Sequence, residues 1–314
     1  MNGNCVLGVD IGGTKIAMGI VDAQGRVRAR DVMPVSSGGQ VQRSGQVLAR
    51  VRAFLRGQAR VTPVAVGVSI AAALHRGTVL YAPNLVGWEG VALERDWSDA
   101  LGCPVFAVYD GHAALLGEQW LGVARGRQDV VLIIVGTGVG GAFMDKGRLV
   151  EGRNHLAGLI GWLPMPAEAG NMVSLESRIA GPAIGQRLSA LLGRPATSRE
   201  LFQLAARRVP PARQLLQDVL RDLGVALAAV VSICNPEMIV LGGGLGTALA
   251  KYEKELRSVM TVWAPPVSAA QVPVAAAALG NDAGWIGAAH RAGQLGGTTD
   301  PGGVGRPRDG WVVP

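Results

Sequence analysis

The feature that most constrains this 314-residue chain is a unit that occurs twice, a buried strand followed by a glycine-rich turn and a second strand. The first copy spans residues 5–22 around the turn Asp10-Ile-Gly-Gly-Thr-Lys15, and the strand Arg26–Val35 extends it into a meander. The second copy begins with the β-branched strand Val130–Val135 and turns through Gly136-Thr-Gly-Val-Gly-Gly141. Two such units in succession predict a chain built from two α/β halves.

Both glycine turns indicate phosphate binding. Adjacent glycines let the backbone curl so that its N–H groups converge on one spot, which suits phosphate oxygens. In the first turn, Asp10 could hold a hydrated Mg²⁺ and Thr14 adds a hydroxyl donor. An ordinary glycine hairpin is the alternative interpretation, although a plain hairpin requires neither of those two side chains. One such turn in each half could hold the phosphates of a single nucleotide between them.

A third candidate for chemistry is Asp110, in the segment Pro104–Glu118. The buried strand Val105–Val108 ends just before it, and a helical pattern begins directly after it. A carboxylate at such a junction is close to backbone N–H groups, which favour its charged form. The alternative interpretation is that Asp110 is only the N-cap of the helix.

Composition argues against two kinds of partner. No window reaches the ~18 consecutive apolar residues that a membrane span needs. The net charge is +7, but 26 of the 30 basic residues are scattered arginines and aromatic residues make up only 4%, so we expect no nucleic-acid binding. No signal peptide is visible, and the three cysteines lie far apart in apolar segments, which predicts a cytoplasmic protein.

Taken in order, these segments resemble the ROK family (repressor, open reading frame, kinase) of the actin-like ATPase superfamily. The likeness runs from about Val6 to Ala289 and rests on DIGGTK at 10–15, APNLVGW at 82–88, the Asp110 segment ending in ALLGE, GTGVGG at 136–141, NPEMIVLGGG at 235–244 and GNDAGWIGAA at 280–289. It implies a two-lobed α/β fold with a mixed sheet in each lobe. The expected parts are an N-terminal lobe at 1–122 joined by a C-terminal helix at 282–292, a C-terminal lobe at 123–281 and a loose tail at 295–314.

Kinases of this family transfer the γ-phosphate of ATP to a hexose hydroxyl, usually the 6-OH. The resemblance therefore implies that Asp110 is the general base and that Asp10 belongs to the Mg²⁺ and phosphate site. The residues expected to bind ATP and its phosphates are Asp10, Gly12, Gly13, Thr14, Lys15, Gly136, Thr137, Gly138, Gly140, Gly242, Gly243 and Gly244. Those expected to contact the sugar are Asn84, Tyr109, Asp110, His112, Leu159, Trp162 and Glu176.

The chain also departs from the family pattern. Sugar kinases of the family usually read Asn-Asp-x-Asn around the base, where this chain has Tyr109-Asp-Gly-His112. Their Glu-x-Gly-His, which contacts the sugar and a zinc ion, is replaced by Leu159-Ile-Gly-Trp162. Because a pocket for sugar hydroxyls discriminates by pairing each one, these changes predict an acceptor unlike glucose, such as a modified or amino sugar or a cyclitol.

Three alternatives remain open. The chain could be a glucokinase without zinc, or a catalytically impaired sugar-binding pseudokinase. Repressors of the family carry a DNA-binding helix-turn-helix before the first strand, and only four residues precede Cys5, which favours a kinase. The family also tends to form dimers, so a homodimer is possible.

We predict that the purified protein contains no bound zinc. The family's zinc ligands are a histidine and three cysteines, and the matching positions hold Trp162, Ala167, Ala169 and Ser174. Neither indole nor methyl groups donate to zinc, and a hydroxyl is a poor substitute for a thiolate. Elemental analysis checks the prediction, and about one zinc per chain would contradict it.

Overall fold

The computed structural model describes residues 5–13, 15–34, 43–58, 61–83, 85–167 and 170–296. The strands are β1 (Cys5–Ile11), β2 (Lys15–Asp22), β3 (Val27–Pro34), β4 (Pro63–Ile70), β5 (Ala73–His75), β6 (Thr78–Tyr81), β7 (Val105–Tyr109), β8 (Val130–Val135), β9 (Val139–Asp145), β10 (Arg148–Leu149), β11 (Pro164–Pro166), β12 (Met172–Ser174), β13 (Met238–Gly242) and β14 (Val274–Ala276). The helices are α1 (Ser44–Gly57), α2 (Leu93–Leu101), α3 (Asp110–Trp120), α4 (Glu176–Ile179), α5 (Gly181–Leu192), α6 (Ser198–Ala206), α7 (Pro210–Cys234), α8 (Gly243–Leu249), α9 (Glu253–Trp263), α10 (Pro266–Gln271) and α11 (Ala283–Gly296).

The first sheet has the strand order β3-β2-β1-β4-β7. Its first three strands form the predicted antiparallel meander, whereas β1, β4 and β7 run parallel to one another. In this register Asp10 lies beside Ser69, and the following residue of β4, Ile70, lies beside Tyr109. Because parallel strands end at the same edge of a sheet, Asp10 and Asp110 are brought to one edge by the topology alone.

The second sheet repeats this plan with the order β10-β9-β8-β13-β14. Strands β8 and β9 are the antiparallel arms of the second glycine turn, and β13 runs parallel to both β8 and β14. Gly242 pairs with Ile134, so the glycines that open α8 lie at the same sheet edge as the Gly136–Gly141 turn. The predicted α/β fold with a mixed sheet in each half is confirmed.

Helix α11 packs against the first sheet rather than the second, in direct backbone contact. A Cβ atom on Gly8 would overlap the carbonyl oxygen of Trp285, and one on Gly67 would overlap that of Ala288. Glycine therefore permits an approach that any side chain would prevent. The strands of the first sheet all precede residue 122, and the division of the chain into lobes stays a prediction.

Three expectations about individual elements were wrong. Apolar periodicity predicts one helix over Leu175–Leu192, but the structure has two helices, separated at Ala180, whose backbone is extended. The break follows because Pro182 in the first turn of α5 lacks the N–H that a continuous helix would need. The apolar run Val272–Leu279 predicts a strand of that length, but only the three residues of β14 form one. Finally, α11 extends to Gly296, so the loose tail expected at 295–314 is wrong for residues 295 and 296. Residues 297–314 lie outside the described part, where the tail stays a prediction.

Helices long and apolar enough to span a membrane are absent from the described ranges. The buried apolar side chains form a large core cluster around the second sheet and a smaller one around the first.

The buried carboxylate of Glu118, near the end of α3, forms hydrogen bonds with both of the segments that connect the two sheets. Its side chain is fully buried, at 0% exposure. It accepts backbone N–H groups from Val123 at 3.0 Å, Ala278 at 3.1 Å and Leu279 at 2.8 Å. The chain leaves α3 for the second sheet through Val123 and returns from β14 to α11 through Leu279, so one carboxylate holds both crossings.

We expect Glu118→Gln to lower the free energy of unfolding by roughly 3 kcal/mol, because a buried amide cannot accept all three N–H groups and its own NH₂ would face them. Chemical denaturation measures the loss. The matched control is Glu237→Gln, since Glu237 also accepts two backbone N–H groups, from Gln128 and Asp129, but at the surface. An equal loss of unfolding free energy in the two variants would show that burial of the Glu118 carboxylate does not add to its contribution to stability.

Candidate active site

A cavity of about 190 Å³ opens where the edges of the two sheets face each other. The residues lining it are Asp10, Ile11, Gly12, Lys15, Asp110, Ala114, Glu118, Leu132, Ile134, Gly242, Gly243, Ala277, Gly280, Asn281, Ala283 and Gly284. Six of these come from the predicted site, and they belong to segments more than 200 residues apart in the sequence. The cavity is therefore our candidate active site.

The carboxylate of Asp10 is held in place from two sides. The Ser69 hydroxyl donates to its Oδ1 at 2.6 Å, and the backbone of Gly284 lies so close that a Cβ atom there would be 2.6 Å from Cγ of Asp10. Burial raises the pKa of Asp10, while the Ser69 hydroxyl and the positive charge of Lys15 oppose the shift. A carboxylate in this position is poised to interact with a cation.

Asp110 is the first residue of α3 and faces the same cavity. The backbone N–H of Gly111 donates to its Oδ1 at 2.8 Å. The position before it, Tyr109, is the N-cap, and no side chain caps this helix, so the N-cap interpretation of Asp110 was wrong. Burial and the negative charge of Asp10 raise the pKa of Asp110 to about 6, against the hydrogen bond from Gly111. Asp110 is therefore ionised at neutral pH and able to accept a proton.

The second glycine turn lies next to Asp110 without lining the cavity. Within the turn, Gly136 donates to the carbonyl of Gly138 at 2.9 Å, and the N–H of Val139 donates to Oε2 of Glu176 at 2.7 Å. A Cβ atom on Gly140 would lie 2.9 Å from the hydroxyl oxygen of Tyr109. Glu176, predicted to contact the sugar, thus fixes the shape of this turn in the structure.

His112 is buried at 1% exposure, and its Nε2–H donates to the carbonyl of Ala157 at 2.9 Å. Burial lowers the pKa of His112, so the ring is neutral and its other nitrogen is an acceptor. Its plane meets that of Tyr109 edge-on, with ring centroids 5.1 Å apart. His112 therefore packs against Tyr109 beside Asp110, and both are among the residues predicted to contact the sugar.

The segment that replaces the family's Glu-x-Gly-His lies along β9. A Cβ atom on Gly161 would overlap the carbonyl of Val139, so this backbone is held close to the glycine turn. Leu159 is half-buried, and Trp162 is 77% exposed. In the absence of zinc, the sequence predicts that apolar packing of Trp162, Leu163 and Met165 holds the segment Gly161–Ser174. Leu163 and Met165 do pack into the core, but Trp162 is exposed, so the prediction is wrong for Trp162.

Two predicted contact residues, Thr14 and Asn84, lie outside the described residues. Gly13, Thr137 and Gly244 are described but do not line the cavity. Conversely, sequence reasoning gave no role to Glu118 or to Gly280, Asn281, Ala283 and Gly284, which line it. These residues belong to the segments ALLGE and GNDAGW, on which the family resemblance rests. The sequence therefore pointed to both segments, although it did not show what their residues do.

The donor set fits a nucleotide-bound Mg²⁺. Such an ion is usually held by one or two carboxylates together with phosphates and water, and Asp10 offers such a carboxylate in the cavity. Within the described ranges there is no group of three or more His, Cys, Asp or Glu side chains that could hold a metal by itself. The absence of zinc from the purified protein stays a prediction.

A larger, open groove of about 810 Å³ lies beneath the β11–β12 hairpin. It contains none of the predicted site residues. Its most buried charged group, Arg178, is paired with Asp222 at 2.6 Å, an arrangement typical of structural ion pairs.

Two five-stranded mixed sheets of the same plan, with residues from both lining one cavity, are the arrangement of the actin-like ATPase fold. The sequence profile of the ROK family matches residues 6–294, and the chain belongs to this family. Among curated relatives, the bifunctional enzyme NanE/NanK of Brucella suis biovar 1 is 32% identical over 91% of this chain. The chain spans about half of that relative, 53% of its length.

Solved structures agree with the assignment. The ROK hexokinase of Thermus thermophilus has a TM-score of 0.79 and 30% identity, covering 93% of this chain and 98% of that one. A ROK family glucokinase from Streptomyces griseus, solved with glucose and AMPPNP, has a TM-score of 0.73 and 28% identity, covering 93% and 100%.

The raised pKa of Asp110 predicts a cost in stability. A carboxyl whose pKa rises from 3.8 to about 6 on folding destabilises the native state when ionised, by roughly 3 kcal/mol above pH 6. The cost shrinks as the pH falls from 6 toward 3.8, because the native state then takes up the proton. We expect Asp110→Asn to raise Tm at pH 7.5 and to raise it less at pH 5.0.

Thermal denaturation without nucleotide or metal measures both values. The exposed Asp145, at the end of β9, offers the matched control Asp145→Asn, which should change Tm little at either pH. An equal gain at both pH values for Asp110→Asn would show that ionisation of Asp110 is not the cause.

Proposed function

We propose that this chain is an ATP-dependent kinase that phosphorylates the primary hydroxyl of a hexose or hexose-like acceptor. One observation carries the proposal: Asp110, ionised at neutral pH, faces the same cavity as Asp10 and the glycines Gly12, Gly242 and Gly243. Phosphoryl transfer needs in-line positioning and neutralisation of charge more than covalent chemistry. A base for the acceptor, a carboxylate for the metal and backbone donors for phosphates are the parts that this reaction requires.

Each group has a distinct task in this mechanism. Asp110 accepts the proton of the attacking hydroxyl, and its position at the start of α3 leaves the carboxylate open to the cavity. Asp10 and Lys15 place one negative and one positive charge where the phosphates of ATP would lie. Mg²⁺, when bound with ATP, would neutralise phosphate charge. Because residues of both sheets line the site, closure around bound substrate would limit the access of water to the transferred group.

The relatives support this reading. The Thermus thermophilus protein is named a hexokinase, and the Streptomyces griseus structure holds glucose together with AMPPNP, an ATP analogue. Each covers nearly the whole chain, so the similarity includes both sheets and the cavity between them.

For the acceptor, we favour a modified or amino sugar or a cyclitol over glucose. Leu159 and Trp162 stand where family kinases carry a glutamate and a histidine for the sugar. A pocket that lacks these partners leaves the matching hydroxyls of glucose unpaired, which costs affinity. The similarity to the relative from Brucella suis and to the glucokinase does not decide between glucose and a different acceptor. A glucokinase without zinc is therefore the second candidate.

The first experiment is a coupled assay of ADP release over hexoses, amino sugars and cyclitols with MgATP. We expect kcat/KM for the best acceptor to exceed that for glucose. Ordinary glucokinase activity on glucose, with no better acceptor, would identify the second candidate instead. No ADP release with any acceptor, although ATP binds, would favour the pseudokinase alternative.

Substituting Asp110 should separate chemistry from nucleotide binding. We expect Asp110→Asn to lower kcat by roughly 10²- to 10⁴-fold, because a positioned base is lost. Affinity for ATP, measured by calorimetry, should change little because the base contacts the acceptor. Asp145→Asn is the control that should keep full activity. Near-normal turnover of Asp110→Asn would place the chemistry on another residue.

A further inference from the structure

The segment of residues 151–159, which follows β10 of the second sheet, is fastened to helices that pack on the first. At its start, the guanidinium of Arg291 in α11 donates to Oε1 of Glu151 at 3.0 Å. Near its end, the imidazole of His112 in α3 donates to the carbonyl of Ala157 at 2.9 Å. Because α3 and α11 pack against each other and α11 packs against the first sheet, both contacts join the two sheets.

The 151–159 segment is itself a compact loop. The N–H of Ala157 donates to the carbonyl of Glu151 at 3.1 Å, and a Cβ atom on Gly152 would lie 3.0 Å from that of Ala157. Its backbone takes positive φ angles at Gly152 (70°), His155 (55°) and Gly158 (97°). A histidine in that conformation costs free energy and persists only where its surroundings determine it. The segment therefore has one defined shape, which depends on its contacts.

The ion pair at the start of the segment is partly buried on both sides. The side chain of Arg291 is 25% exposed and that of Glu151 is 30% exposed, so solvent screens their attraction less than it would at the surface. Nδ1 of His155 lies 3.6 Å from the other oxygen of Glu151. His155 and the positive charge of Arg291 lower the pKa of Glu151, although burial opposes them. The carboxylate is therefore ionised at neutral pH, and Arg291 is paired with a full charge.

The far end of the segment lies beside the candidate base. A Cβ atom on Gly141 of β9 would lie 2.9 Å from the carbonyl oxygen of Gly158. One on Gly111, the residue after Asp110, would lie 2.7 Å from the carbonyl oxygen of Gly141. Backbone contacts thus lead from Asp110 through β9 to the end of the segment, where Leu159 follows. A shift of the segment would move Leu159 relative to Asp110.

We propose that Arg291 is a positioning residue, whose ion pair with Glu151 holds the 151–159 segment on α11 and thereby places Leu159 on the acceptor side of Asp110. Arg291 is not among the described residues that line the cavity, so it acts through the segment. The effect on the acceptor rests on the proposed kinase function, whereas the anchoring of the segment can be tested without turnover.

Hydrogen–deuterium exchange of peptides from the 151–159 segment tests the anchoring in the unliganded protein. The N–H of Ala157 is the probe, because it is hydrogen-bonded inside the segment. We expect it to exchange roughly ten-fold faster in Arg291→Met, because opening of the segment no longer has to break the ion pair. Methionine keeps an apolar stem without the charge. The core strand β8 should exchange as in the wild type.

Two further variants make this measurement decisive. Glu151→Gln removes the same ion pair while leaving Arg291 in place, so it should reproduce the faster exchange even if Arg291→Met folds poorly. The control Arg194→Met removes an ion pair with Glu200 inside the second half of the chain and should leave the segment unchanged. Unchanged exchange in Glu151→Gln would overturn the proposal. So would faster exchange that includes β8, since the ion pair would then support the whole fold.

Kinetics test the consequence for the acceptor, with glucose and with the fastest acceptor of the ADP-release screen. In Arg291→Met we expect KM for the acceptor to rise roughly ten-fold, because a charged hydrogen bond that places the segment is lost. KM for ATP should not change. The double variant with Glu151→Gln should raise KM for the acceptor no further, because both changes remove one interaction. Arg291→Lys should restore part of the affinity, because lysine keeps the positive charge.

Equal increases in the two KM values, or additive effects of the two substitutions, would contradict the positioning role of Arg291. A wild type inactive with every acceptor would instead contradict the proposed function, and with it the effect on the acceptor. The exchange measurement would still decide whether Arg291 holds the segment, since it needs neither ATP nor acceptor.

Discussion

Backbone contact between α11 and the first half of the chain is the constraint on which the rest of the structure depends. Gly8 and Gly67 let the sheet touch the carbonyls of this helix, and Gly287 lets the helix touch the carbonyl of Ala113 in α3. Interiors are packed too densely to absorb an added methyl group at such points. The contact also brings Gly284 against Asp10, so the floor of the cavity is formed by the two most distant parts of the described chain.

Charge in the cavity follows from that packing. Asp10, Asp110 and Glu118 line it with Lys15 as the one cation among the described lining residues, although the whole chain carries a net charge of +7. Glu118 is compensated by three backbone N–H groups, whereas burial raises the pKa of both Asp10 and Asp110, and the charge of Asp10 raises that of Asp110 further. A bound Mg²⁺ would offset this negative charge.

Much of this arrangement could be predicted because it is local in the sequence. Strand, glycine turn and strand follow one another directly, so the predicted turns and the placement of Asp110 at the start of α3 are found in the structure. The break at Ala180 was missed because apolar periodicity continues across it and only Pro182 signals the interruption. The partners of Glu118, up to 161 residues away, leave no periodic signal. Exposure of Trp162 was also unpredictable, since an indole ordinarily indicates burial.

The position of Glu118 has a mechanical consequence. Because the outgoing connection at Val123 and the returning one at Leu279 hydrogen-bond to the same carboxylate, they are attached to the last turn of α3 at nearly one point. Two connections that meet at a point allow rotation of one sheet relative to the other but resist sliding. Because Asp110 begins the same helix, the candidate base and the point where the two connections meet belong to one rigid element, α3.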